Sequence, residues 1–185
     1  MNANHYPLFI PPEPMATKPH RDWSKNEAQL YSDWLMESID ERVEALLKFF
    51  GISESAMRSP RSLLLHLGER VAETLEDPDY SGVTADGKRV LTNHGHALAA
   101  DMGLLIAKLL RNTVGDALRW TIVRKPKRHV SYNSPVLVGF GADWDTYDPI
   151  GVSIANAHSI LVSRRSPDVW VTVFDSCVSD AKTKR

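Results

Sequence analysis

The chain has 185 residues, 43% of them hydrophobic and 24% charged, with a formal net charge of -1; a chain of this size can bury roughly 70% of its unfolded surface around one core without staples. Its lone cysteine, Cys177, excludes an internal disulfide framework and fits a reducing compartment. The near-neutral charge argues against a general nucleic-acid binder, and no apolar run approaches the ~18 residues that span a bilayer.

Residues 1–22 carry Pro7, Pro11, Pro12, Pro14 and Pro19. Each proline lacks an N–H and fixes φ, so helix is prevented here. The stretch reads as an extended arm laid on the body through Tyr6, Leu8, Phe9 and Ile10, with disorder as the alternative. Tyr6 to Ile10 is too short for a signal-peptide core and runs into prolines, so no secretory signal is expected.

A first helix is predicted from Lys25, because Ser24 and Glu27 have capping-box spacing. Leu30, Tyr31, Trp34, Leu35, Ile39, Val43, Leu46, Leu47 and Phe50 form one stripe at helical period. Asp33, Glu37, Asp40, Glu41 and Glu44 fall largely outside it, and Gly51 is the natural stop. Ser59-Pro60 opens a second helix with Leu63, Leu64, Leu67, Val71 and Leu75 inward. Residues 77–91 read as a loop with a turn at Ala85-Asp86-Gly87-Lys88. A third helix, Gly95 to Arg111, capped by Thr92 or Asn93, is apolar nearly all round and should lie at the heart of the core. Gly103 inside it points to a close crossing with another backbone.

From Leu118 the period changes. Leu118–Arg124 and Pro135–Phe140 read as strands, joined by a basic segment too long for a tight hairpin turn. Val152–Arg165 reads as a short helix, and Val169–Phe174, β-branched and aromatic, as a last strand. Strands that follow helices instead of alternating with them argue for an α+β fold. The expectation is three N-terminal helices with a buried third, packed on a small, mainly antiparallel C-terminal sheet with one further helix. Residues 23–178 would form a single domain, and 179–185 a polar tail.

Four groups bear on chemistry. His94-Gly-His96, with Asp101 beyond, has imidazoles that suit zinc, but the two do not share a helix face as a metalloprotease helix requires. Asp143, Asp145 and Asp148 around Trp144 and Tyr147 could hold a cation, divide into acid and base, or form a binding rim. The same residues are also ordinary turn chemistry. Arg124-Lys125-Pro126-Lys127-Arg128-His129 could contact phosphate, or be a solvated loop attracted by the acidic first helix. Cys177 has an acidic flank that raises a thiol pKa instead of activating it. No nucleophile elbow, dinucleotide fingerprint or phosphate loop occurs, and neither a metal nor a cofactor is expected. The charge is split along the chain: residues 1–100 hold 10 basic and 15 acidic residues, and residues 101–185 hold 12 and 8.

Residues 101–150 resemble a layout seen in several uncharacterised bacterial domains of unknown function. The features are an apolar helix with an internal glycine (Asp101-Met-Gly103-Leu-Leu-Ile), strands led by Trp120 and by Pro135-Val-Leu-Val, and the step Asp148-Pro149. Those domains often carry a glutamate near the position of Lys108, which this chain lacks. The resemblance implies a bacterial source and an α+β fold, and no characterised family or functional residue.

These readings converge on a non-enzymatic binding protein of the bacterial cytoplasm, acting on a protein partner as an immunity protein neutralises a toxin. The contact surface would be Glu37, Asp40, Glu41 and Glu44 of the first helix, or the loop Asp143, Trp144, Asp145 and Asp148. The alternatives are a small hydrolase or metal-dependent enzyme using Asp143 and Asp145 or His94 and His96, and a nucleic-acid accessory protein using Arg124–Arg128. Neither a nucleic acid nor a membrane is the expected partner.

Overall fold

The computed structural model describes residues 5–141 and 146–183. Its element order is α1 (Lys25–Phe49), α2 (Pro60–Thr74), β1 (Ser81–Val83), β2 (Arg89–Leu91), α3 (Asn93–Val114), β3 (Arg119–Ile122), β4 (Pro135–Val138), β5 (Thr146–Tyr147), α4 (Pro149–Leu161) and α5 (Val169–Thr183). The fold is α+β. β1 and β2 form an antiparallel hairpin, and β3-β4-β5 an antiparallel sheet in that order, with Trp120 opposite Leu137 and Leu137 opposite Tyr147. No helix of the described residues is long and apolar enough to cross a membrane.

α1 starts where its cap dictates. The Ser24 hydroxyl accepts from the Glu27 amide at 3.2 Å, and the Glu27 carboxylate accepts from the Ser24 amide at 2.6 Å. Each side chain thus satisfies a backbone donor that has no partner inside the helix. Beyond the helix Gly51 sits at φ +67°, a left-handed conformation that glycine adopts without steric penalty.

α3 is the axis of the core. Every residue from Ala97 to Ala107 is buried, as its all-round apolar surface predicts. The Thr92 hydroxyl caps it by accepting from the Gly95 amide. A Cβ on Gly103 would stand 2.2 Å from the Pro149 carbonyl oxygen, so α4 crosses α3 with backbone against backbone. A second crossing of this kind joins α2 to the α4–α5 connection, where a Cβ on Gly68 would meet the Pro167 carbonyl oxygen at 2.3 Å.

The structure differs from the sequence reading in several places, among them a short 3-10 turn at His20–Asp22 in the proline-rich arm and the two-residue strand β5. Val169–Phe174 is the start of α5 and not a strand. Its buried residues Trp170, Phe174, Cys177 and Ala181 are spaced by four, three and four, a helical stripe that overrides the β-preference of Val, Trp and Phe. The C-terminal half therefore holds two helices, and α5 continues through the segment read as a polar tail. The 77–91 loop contains the β1–β2 hairpin, whose three-residue strands are too short to show a period. Helix α4 begins at Pro149, three residues before the predicted start, because Asp148 caps it.

Candidate functional site

The described part of the N-terminal arm, residues 5–22, is fastened at both ends. At its start Tyr6 is fully buried, and its hydroxyl donates to Asp101 Oδ2 at 2.5 Å. Arg42 donates to both carboxylate oxygens of Asp101, at 2.9 and 2.6 Å, and to the backbone carbonyls of Leu8 and Pro7 at 3.0 and 3.1 Å. The guanidinium also lies over the rings of Tyr6 and Phe9, 5.8 and 5.3 Å from their centroids, within cation–π range. Burial raises the Asp101 carboxyl to about 6, against the pull of Arg42 and Tyr6 toward the charged form. The Tyr6 phenol is raised well above its ordinary range, first by burial and then by Asp101.

The arm's far end rests on the β3–β4 connection. Asn133, buried and at φ +67°, donates through its amide to the carbonyls of His20 and Trp23 at 3.1 and 2.8 Å. His20 Nδ1 donates in turn to the Tyr132 carbonyl at 2.7 Å. Between these anchors the arm forms one lip of a cleft of about 560 Å³, within the size range of small-molecule sites. Leu8, Phe9, Ile10, Pro11, Met15 and Ala16 supply that lip, and Trp23 and Tyr31 stand beside it. The floor comes from the first turns of α3 (Asn93, His96, Ala97, Ala100) and α4 (Ile150, Gly151, Ile154), and the rim from Ser134, Pro135 and Asp148.

The aromatic residues are continuous. Trp23 and Tyr31 have ring centroids 4.7 Å apart, Tyr31 and Trp34 5.6 Å, and Phe9 and Trp34 5.2 Å. The Tyr31 phenol is raised by burial and by the Asp148 charge. Its hydroxyl has no hydrogen-bond partner among the described residues. Asp148 uses Oδ1 to accept from the Gly151 amide at 2.8 Å, and Oδ2 makes no hydrogen bond among the described residues. His96 Nδ1 donates to the Thr92 carbonyl at 2.9 Å. Among the described residues no lysine or arginine lines the cleft.

Of the residues singled out from sequence, Asp148 and His96 meet in this cleft. His94 does not: its Nδ1 donates to the Tyr6 carbonyl at 2.7 Å, and its ring stacks on His5. The two histidines diverge as their spacing predicted. Among the described residues no three His, Cys, Asp or Glu side chains group closely enough to hold a metal ion. Asp143, Trp144 and Asp145 lie outside the described residues. Glu37, Asp40, Glu41 and Glu44 are exposed on α1, and Asp40 pairs with Lys108 at 2.8 Å. In the basic segment Arg124 serves the fold, donating to Asn133 Oδ1 and the Lys25 carbonyl, while Lys125, Lys127 and Arg128 are exposed. Cys177 is buried, and its thiol is pushed up to about 12 by burial and then by Asp180.

Sequence reasoning missed His20, Trp23, Tyr31 and the Arg42–Asp101 pair. The pair had a signal. Arg42 is seven residues from Leu35 and four from Leu46, on the apolar stripe of α1, and Asp101 interrupts the apolar circumference of α3. A charged residue at each buried position implies a partner. No family model matches the chain, and no curated protein or solved structure matches it.

Proposed function

We propose that the protein is a non-enzymatic binding protein whose binding site is the cleft under the N-terminal arm. The observation that carries this is the concave site itself, walled by Phe9, Trp23 and Tyr31, with Asp148 Oδ2 and the Tyr31 hydroxyl left without a hydrogen-bond partner among the described residues. Concavity, an apolar lining and a small number of placed polar groups are the marks of a small-molecule site. The double anchoring of the arm favours a preformed site, so little ordering entropy is lost on binding. A fragment screen by two-dimensional NMR tests the reading. Hits should shift the Trp23 indole, Ala97 and Gly151 signals, and Ala16→Trp, which fills the cleft from its exposed lip, should abolish them. Hits that map elsewhere, or that survive Ala16→Trp, would overturn it.

A second reading rests on α1. Glu37, Glu41 and Glu44 are exposed and have no ion-pair partner among the described residues. This supports a basic protein partner in the bacterial cytoplasm, bound as a toxin is bound by its immunity protein. Replacing the three glutamates by lysine should weaken a complex rebuilt from purified components by about tenfold or more, since like charges across an interface are strongly unfavourable. An unchanged affinity would remove this face from consideration.

A further inference from the structure

We infer that the cleft selects a small organic cation, an amine or ammonium compound with an aromatic or aliphatic body, over neutral and anionic molecules of the same shape. This inference rests on the cleft being the binding site. Three observations carry it.

The first is charge. Asp148 contributes a carboxylate to the rim, and among the described residues no lysine or arginine lines the cleft to offset it. The α4 N-terminus, which that carboxylate caps, supplies only about half a positive charge. An anionic ligand would therefore meet net repulsion, and a cationic one net attraction.

The second is hydrogen-bond polarity. His20 and His96 each bring Nδ1 to a backbone carbonyl, at 2.7 and 2.9 Å. A carbonyl can only accept, so Nδ1 carries the proton in the neutral ring and Nε2 is left as an acceptor. Asp148 Oδ2 is likewise an acceptor without a hydrogen-bond partner among the described residues. Such a site favours a ligand rich in donors, which an ammonium group is.

The third is the aromatic wall. Phe9, Trp23 and Tyr31 line the same space, with the Trp23 and Tyr31 rings 4.7 Å apart. Aromatic faces attract cations through the ring quadrupole, most strongly where water is excluded. A wall and a carboxylate acting on one ligand both favour positive charge, and the apolar floor from Ala97, Ala100 and Ile154 accommodates its hydrocarbon part.

The test is an NMR titration of the full chain with three probes that share a phenylethyl body, 2-phenylethylamine, 2-phenylethanol and 3-phenylpropanoate. The amine is expected to bind at least about tenfold more tightly than the alcohol, as a charge-assisted hydrogen bond implies, and the acid most weakly. Asp148→Asn, which retains a helix-capping side chain, should reduce the amine-to-alcohol ratio to near one, with its circular dichroism melt confirming that the variant is folded. Asp148→Ser, also a capping residue, serves if the asparagine variant does not fold. Equal affinities for amine and alcohol, a preference for the acid, or an unchanged ratio in the folded variants would overturn the selectivity while leaving the cleft as a binding site. Failure of all three probes to shift cleft signals would overturn both.

Discussion

Arg42 and Asp101, 59 positions apart in sequence, form a two-pronged ion pair with contacts of 2.9 and 2.6 Å in which the carboxylate is fully buried. The same guanidinium binds the Pro7 and Leu8 carbonyls, so one pair joins α1, α3 and the arm. Removing one partner leaves the other charge buried and uncompensated, which typically costs about 3–5 kcal/mol. Asp101→Ala should therefore lower unfolding free energy by that order in urea titrations and speed amide exchange in residues 5–10. Replacing both residues together by apolar side chains of similar volume should restore part of the loss.

The two perturbed carboxylates act with opposite signs on stability. Asp101 is raised from 3.8 to about 6 by burial, so the folded state holds its proton more tightly than the unfolded chain does. Its contribution to stability is greatest below the unfolded value and declines as pH rises through about 6. Glu27 is lowered from 4.5 to about 2 by Lys18 and Ser24. Its contribution is present above 4.5 and is lost as pH falls toward 2. Carboxyl carbon shifts followed by NMR should place the two midpoints on opposite sides of the ordinary range. A midpoint for Asp101 at or below 3.8 would contradict the burial argument.

Gly103 and Gly68 are positions where space, and not turn geometry, demands glycine. A methyl group would reach 2.2 Å from the Pro149 carbonyl oxygen in one case and 2.3 Å from the Pro167 carbonyl oxygen in the other. Backbone cannot give way as a flexible side chain does, so Gly103→Ala and Gly68→Ala should each destabilise by about 1–3 kcal/mol or more. Alanine's better helix propensity, worth about 1 kcal/mol, does not reverse this. Denaturant midpoints should fall with little change in slope.

Cys177 should be chemically silent in the native protein. It is fully buried, and its thiol is raised to about 12, so thiolate is scarce at neutral pH. A thiol reagent should label it at the rate of global or local opening, and the rate should rise with urea. Rapid stoichiometric labelling without denaturant would show that α5 opens freely.

Loss of the Ser24 cap is local. Ser24→Ala removes the acceptor for the Glu27 amide and should cost about 1 kcal/mol, read as a lower melting temperature. Glu27 also pairs with Lys18 of the arm at 2.9 Å, so the substitution should loosen the distal arm beside the cleft, seen as faster exchange of the Trp23 indole proton.

Sequence alone determined where α1 and α2 begin, that α3 is buried, that Gly103 marks a backbone crossing, and that strands lie within Leu118–Arg124 and Pro135–Phe140. These properties depend on caps, glycines and apolar period, which act over a few neighbouring residues. Tertiary structure decided between two local signals in Val169–Phe174: packing of the stripe Trp170, Phe174, Cys177 and Ala181 outweighs a β-preference of about 1 kcal/mol. It also decided the site. Asp148 and His96 were legible as chemistry, but not as neighbours; Tyr31 read as one position of the α1 apolar stripe, and Trp23 carried no signal. The cleft exists because Arg42 and Asn133 fasten the two ends of the arm over the starts of α3 and α4, and contacts between such distant positions leave no period in the chain.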